Sequence, residues 1–231
     1  MKFDFSLSDY KKVGAFRNIP SIKEPRWFYE TLVDPEEARS LSLVEDLTSS
    51  IDRADPLTTR PFQYGDINGT LHCFEKAFWK AGRFGSGDHY GVWYGGLEEE
   101  TSLQEGLYWF WKCNSGVLEK FPSFSQDRKM FKMKCEGQKV VDLRPLVKEY
   151  PDLISKEDYS FCRKLGEKAI REGVDFFLSQ SVRKEKGSCV SVFNPKVLKK
   201  EDFLYYFHYT IYADGRVCIT RDEDEWVKME N

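Results

Sequence analysis

From Thr101 to Lys112 the chain reads TSLQEGLYWFWK, and Leu103, Leu107, Phe110 and Trp111 recur at the spacing of one helix face. Ser102, Glu105 and Trp109 form a second line on another side. A helix marked on several sides is expected to lie between layers, with Thr101 or Ser102 as its cap. The preceding YGVWYG reads as a short strand. SKEDYSFCRKLGEKAIREG is amphipathic at helical period and should stop at Gly173. Nearer the start, WFYETL reads as a short helix. DPEEARSLSLVEDLTSSI reads as a longer one, with Asp34 as N-cap and Pro35 in its first turn. TLHCFEKAFWKA reads as a helix stopped by Gly82.

Strand patterns dominate the second half. RKMFKMKC and KVVDL lie around a Glu136-Gly137 turn, and VDFFL and SCVSVFN flank another. FLYYFHYTIY and RVCIT meet across Asp214-Gly215, a hairpin signal. Helices come first, a mixed region follows, and strands close the chain. The expected class is therefore α+β, a mixed sheet core flanked by helices. We expect one domain over 1–231, with a helical N-terminal segment over about 1–65.

Composition narrows the function. The 231 residues carry 35 basic and 38 acidic side chains, a net charge of −3, so no basic footprint of a nucleic-acid binder is present. Aromatic residues make up 16% of the chain, which indicates a packed core. No apolar run is long enough to span a membrane, and MKFDFSLSDYKKVGAF lacks the apolar centre of a secretory signal. Cys73, Cys113, Cys135, Cys162, Cys189 and Cys218 include no CxxC spacing and read as reduced thiols of a cytoplasmic protein. His72, His89 and His208 are far apart, so neither a metal site nor a serine–histidine–acid order is expected.

Individual residues leave two readings each. Glu105 is either a capping-box glutamate following Ser102 or an ionised carboxylate in an inserted helix, favoured by the helix N-terminus. Arg83, in GRFGSG, is either a turn arginine in solvent or part of a loop that lets backbone approach a phosphate. Tyr94 is a core tyrosine or a site residue. Ser181, in LSQSVRKEKGSCVSVF, is a turn serine or a functional hydroxyl.

Taken together, GRFGSGDHYGVWYGGLEEETSLQE and GVDFFLSQSVRKEKGSCVSVFNP, preceded by FRNIPS and WFYETLVDPEE, resemble the RES domain family, over roughly residues 15–215. The resemblance implies an ADP-ribosyltransferase-like RES fold. It places the family's arginines on Arg17 and Arg83, its strand tyrosine on Tyr94, its glutamate on Glu105 and its serine on Ser181, with Ser179 as a rival. Trp109 stands where a histidine often follows, and Asn18 where some members carry tyrosine. It implies an NAD-consuming enzyme that cleaves the nicotinamide–ribose bond by phosphorolysis or hydrolysis, paired as a toxin with an antitoxin. A protein ADP-ribosyltransferase or an inactive interaction module on the same fold are the alternatives.

The residue types suit that chemistry. Arg17 and Arg83 would hold the pyrophosphate, Tyr94 would flank the nicotinamide, and Ser181 would fix the ribose or the acceptor. Glu105 would stabilise the oxocarbenium-like ribose left when nicotinamide departs. No metal is needed, and inorganic phosphate, water or a protein side chain would accept the ribosyl group.

Overall fold

The computed structural model describes residues 5, 7–8, 11–20, 72–76, 79–221 and 224–229. Among these, the strands are β1 (Leu7–Ser8), β2 (Lys11–Pro20), β3 (Trp93–Gly96), β4 (Ser123–Gly137), β5 (Val140–Asp142), β6 (Phe176–Gln180), β7 (Ser188–Val192), β8 (Leu198–Tyr212), β9 (Val217–Arg221) and β10 (Asp224–Met229). They form one sheet in the order β1-β5-β6-β7-β3-β2-β4-β8-β9-β10. Only β5 and β6 pair in parallel, so the sheet is mixed. Among the described residues the α-helices are α1 (Glu99–Asn114) and α2 (Ser160–Glu172).

Both helices rest on one face of the sheet. Leu103, Leu107 and Phe110 of α1 pack with Met130, Phe207, Tyr209 and Ile211 of β4 and β8. Cys162, Leu165 and Ala169 of α2 pack with Phe84, Tyr90 and Phe177. The other face carries Trp93, Phe176, Leu178, Val190 and Val192, closed over by Met133, Cys135, Val197 and Leu198. The alternation of side chains along β6 and β7 feeds both layers at once.

Several expectations hold. The chain turns from β8 into β9 across Asp214-Gly215, with Gly215 at φ 87° and Tyr212 N–H donating to Arg216 C=O. Gly173 ends α2 at φ 67°, the left-handed conformation that glycine adopts without a Cβ penalty.

Others are corrected. α1 starts at Glu99 rather than behind Thr101 or Ser102. Trp109 and Trp111 are exposed, so α1 is buried on one side and not inserted between layers. The helix expected over 70–81 is, in its described part, a 3-10 turn at His72–Phe74 followed by irregular chain at 79–82. Here tertiary packing overrides the local period: Cys73 and Phe74 lie against the second core, and a Cβ at Gly91 would meet Cys73 C=O at 1.9 Å. Strands β4 and β5 are not partners across Glu136-Gly137. Both amides after the turn, Gln138 and Lys139, donate to Asp175 Oδ2 (2.8 and 3.0 Å), which draws the chain towards β6. In the segment expected to be helical over about 1–65, Lys11–Pro20 is a strand in the sheet interior. The helices expected over 27–32 and 34–51 lie outside the described residues.

Candidate functional site

The centre of the sheet, where β2, β3, β7 and β6 run under the start of α1, gathers most of the residues singled out above. Glu105 is in the second turn of α1, beyond the first turn where the helix dipole acts strongly. It does not close a capping box. Instead, Glu98 Oε2 accepts from Thr101 Oγ1 (2.6 Å) and from Ser188 N–H (2.9 Å), tying the helix start to β7.

The Glu105 carboxylate is held from the loop between β6 and β7. Its Oε1 accepts from Ser181 Oγ at 2.5 Å and from Val182 N–H at 3.2 Å. Cys189 Sγ lies 3.8 Å from the same oxygen. Burial, and then the Glu105 charge, push the Cys189 thiol well above the ordinary thiol range. Among the described residues no hydrogen bond involves Oε2.

The loop itself is built to present Ser181. Its Oγ accepts from Arg183 N–H (3.1 Å) and Lys184 N–H (2.9 Å), a local serine turn. Its own N–H donates to Gly187 C=O (2.8 Å). Lys184 Nζ reaches Glu100 Oε1 at 2.5 Å, which clips the loop to the first turn of α1. One hydroxyl thus receives two amide protons and directs its own proton to a carboxylate. Charge-assisted bonds of this kind are short and about twice as strong as neutral ones.

Arg83 is close to this assembly but differently employed. It is buried, its Nη1 donates to Gln180 C=O at 2.7 Å and to Ser179 Oγ at 3.5 Å, and its Nη2 donates to Leu153 C=O. It therefore clamps the end of β6 to the 151–154 turn. Each Nη group is thus bonded to a main-chain carbonyl, while Nε is buried without a hydrogen-bond partner.

Tyr94 holds the same loop. Its hydroxyl accepts from Phe84 N–H at 2.9 Å, and burial pushes its pKa above the ordinary tyrosine range. From the other side α2 holds the same loop. Arg163 Nε donates to Gly82 C=O (3.1 Å), and Gly166 approaches so closely that a Cβ there would meet Phe84 C=O at 1.8 Å. Ser179, the rival serine, is buried beneath Arg83 and faces the clamp rather than Glu105.

The structure does not bring Arg17 to the same place. Its neighbours Phe16 and Asn18 point towards α1, Phe16 into the core beneath it and Asn18 through Nδ2 to Ser102 C=O (2.6 Å). Alternation sends Arg17 to the opposite face. There its guanidinium lies 5.3 Å from the centroid of the Trp93 ring, and Nη1 donates to Tyr94 C=O at 3.3 Å. The expected convergence is thus a direct Glu105–Ser181 pair, with Arg83 and Tyr94 supporting from the same face and Arg17 from behind.

Sequence reasoning missed Cys189, the Val182 amide, Tyr108 and Arg183. Tyr108 follows Glu105 by three residues and so shares its helix face. Arg183 follows Ser181 by two and its guanidinium lies 3.3 Å from the Tyr108 ring centroid. Those offsets were the available signal.

Among the described residues no helix is long and apolar enough to cross a membrane. No curated protein matches the chain. A crystal structure described as the M. tuberculosis MbcT-MbcA toxin-antitoxin complex is similar at 13% identity and a TM-score of 0.49, over 86% of this chain and 87% of that one. The model of the RES domain matches residues 50–211, well over half of the sequence, and the chain belongs to the RES domain family.

Proposed function

We propose that the protein is an enzyme that consumes NAD by breaking the bond between nicotinamide and ribose. The observation that supports the chemistry is the Glu105–Ser181 contact, a carboxylate fixed through one oxygen and left with the other unbonded among the described residues. The identity of the substrate rests on membership of the RES family.

Nicotinamide in NAD is a cationic leaving group. When its bond to ribose breaks, the electron pair goes to the ring nitrogen and the positive charge passes to the sugar, as in glycoside cleavage. A preorganised carboxylate next to that carbon stabilises the charge as it forms. Glu105 takes this role through Oε2, while Oε1 stays with Ser181 and the Val182 amide. Ser181 is a positioning hydroxyl in this reading, and Arg83, Tyr94 and Arg17 hold the strand ends and loop that place the pair. Attack by inorganic phosphate gives a phosphorylated ADP-ribose, and attack by water gives ADP-ribose and a proton. The family resemblance extends the reading to a toxin whose antitoxin covers the entrance to the site.

The test is direct. Purified protein is incubated with NAD in phosphate and in phosphate-free buffer, and nicotinamide and the ribosyl product are identified. We expect nicotinamide release equal to NAD loss, with the product showing which acceptor is used. NAD left intact by folded protein, with no partner protein bound, would sink the reading.

A further inference from the structure

Ser181 and Val182 hold the Glu105 carboxylate from a loop, so the place of the carboxylate depends on how that loop is fixed to α1. Two side chains of the loop reach the helix, and they bracket Glu105 along its axis. Lys184 Nζ meets Glu100 in the first turn, before Glu105. The Arg183 guanidinium carbon lies 3.3 Å from the ring centroid of Tyr108, one helical turn beyond it. Glu100 is exposed, and ion pairs at such positions are screened and contribute little. The contact at Tyr108 is therefore the stronger anchor.

The chemistry of arginine suits this place. A planar guanidinium can lie flat on a ring and donate hydrogen bonds in its own plane at the same time, which an ammonium cannot do. Arg183 Nη2 donates to Lys156 C=O and to Tyr159 Oη (3.0 Å), in the turn that leads into α2. Tyr159 Oη also donates to Lys156 C=O at 3.3 Å, so that turn keeps a bond of its own without Arg183. One side chain thus joins the loop both to α1 and to the start of α2. Its main-chain N–H donates to Ser181 Oγ at 3.1 Å, which couples the anchored residue to the hydroxyl that faces Glu105.

We propose that Arg183, stacked on Tyr108, is a positioning residue that sets the Ser181 hydroxyl and the Val182 amide on Glu105. The effect on turnover rests on the NAD reading, while the effect on the loop is measured without NAD. Single-turnover rates against NAD concentration, Tm and amide hydrogen exchange are compared for wild type, Arg183→Met, Tyr108→Ala, Tyr108→Phe, Ser181→Ala and the double variant Arg183→Met/Ser181→Ala. A small displacement of a reacting group is costly, so Arg183→Met should lower the maximal rate about tenfold and leave half-saturating NAD within about twofold. Exchange of the Val182 and Lys184 amides should rise about tenfold, with β6, β7 and α1 unchanged. Tyr108→Ala should reproduce both effects and carries the test if Arg183→Met does not fold, while Tyr108→Phe keeps the ring and should retain both within about twofold. Because Arg183 acts through Ser181, adding Arg183→Met to Ser181→Ala should cost less than about twofold more.

Wild-type rates and loop exchange in Arg183→Met or Tyr108→Ala overturn the proposal. So does a full further loss in the double variant, or faster exchange throughout β6 and α1, either of which would make Arg183 part of the general scaffold. A rise in half-saturating NAD at an unchanged maximal rate also overturns it, since the residue would then act in binding. Faster Val182 and Lys184 exchange in variants of a protein that leaves NAD intact supports the positioning and defeats the NAD reading alone.

Discussion

Two loops of this molecule look alike in sequence and do opposite things. Gly82–Gly85 and Ser181–Gly187 are both polar, bounded or punctuated by glycine, and each carries an arginine. The first turns its polar groups inward. Gly82 N–H bonds Gly85 C=O, Phe84 N–H bonds Tyr94, Phe84 C=O accepts from Tyr90, and Arg83 bonds carbonyls of Gln180 and Leu153. The second turns them to α1 and leaves Glu105 Oε2 without a partner among the described residues, while each loop's arginine, Arg83 and Arg183, has a buried Nε without one. Polar groups that bond one another across a loop fix its shape, while a carboxylate oxygen that no protein group occupies stays open to a ligand. Residue type does not distinguish the two; the destination of each hydrogen bond does.

The sharpest way to break this comparison is at Glu105. Glu105→Gln keeps size and hydrogen-bonding capacity but removes the charge that, in the proposed reaction, faces the forming oxocarbenium. Losing one such stabiliser lowers kcat by about 10²–10³. NAD affinity should change far less, since the positive charge on the sugar develops in the transition state. Single-turnover and binding measurements on the same preparation check it, and wild-type turnover would reduce Glu105 to a loop anchor.

Arg83 tests the inward loop. Arg83→Met strands the carbonyls of Gln180 and Leu153, at about 1–3 kcal/mol each, and the hydrophobic side chain recovers part of the loss by removing an unpaired buried charge. We expect a net destabilisation of about 2–4 kcal/mol, seen as a fall in Tm of about 5–15 °C for a chain of this size. A normal melting curve with NAD affinity alone reduced would make Arg83 a ligand after all and erase the distinction between the loops.

The fold was legible where local chemistry and tertiary packing agree. Gly173, the Asp214-Gly215 turn and the apolar spacing of Leu103, Leu107 and Phe110 each encode their own neighbourhood. It was illegible where distant packing decides. Nothing local in TLHCFEKAFWKA reveals that Cys73 must press against Gly91, and nothing in KVVDL reveals that β5 pairs with β1 and β6. For the site, the resemblance marked residues that the structure sets near one another, but not which way each points. Arg17 shows the limit: a one-residue step along β2 sends a side chain to the far face, and only the register against β3 and the contacts of Asn18 settle which.

The smallest expected effect separates two serines that the sequence leaves as rivals. Ser181→Ala removes the proton that Glu105 Oε1 accepts at 2.5 Å and the acceptor of two loop amides. A hydrogen bond to a charged group contributes about 1.5–3 kcal/mol, so kcat should fall by about ten- to a hundredfold if that bond fixes the reacting carboxylate. Ser179→Ala removes only a 3.5 Å contact to Arg83, whose Nη groups keep the Gln180 and Leu153 carbonyls. Deleting a buried hydroxyl that makes one long bond should cost less than about 1 kcal/mol and leave turnover within about twofold. Ser179 lies in β6 and Ser181 just beyond its end, so Tm reports any damage to the strand separately from loss of turnover. Turnover and Tm measured side by side therefore isolate the contact with Glu105. If Ser179→Ala loses more activity than Ser181→Ala, the clamp and not the carboxylate pair is the working part of the site, and the contrast between the two loops is inverted.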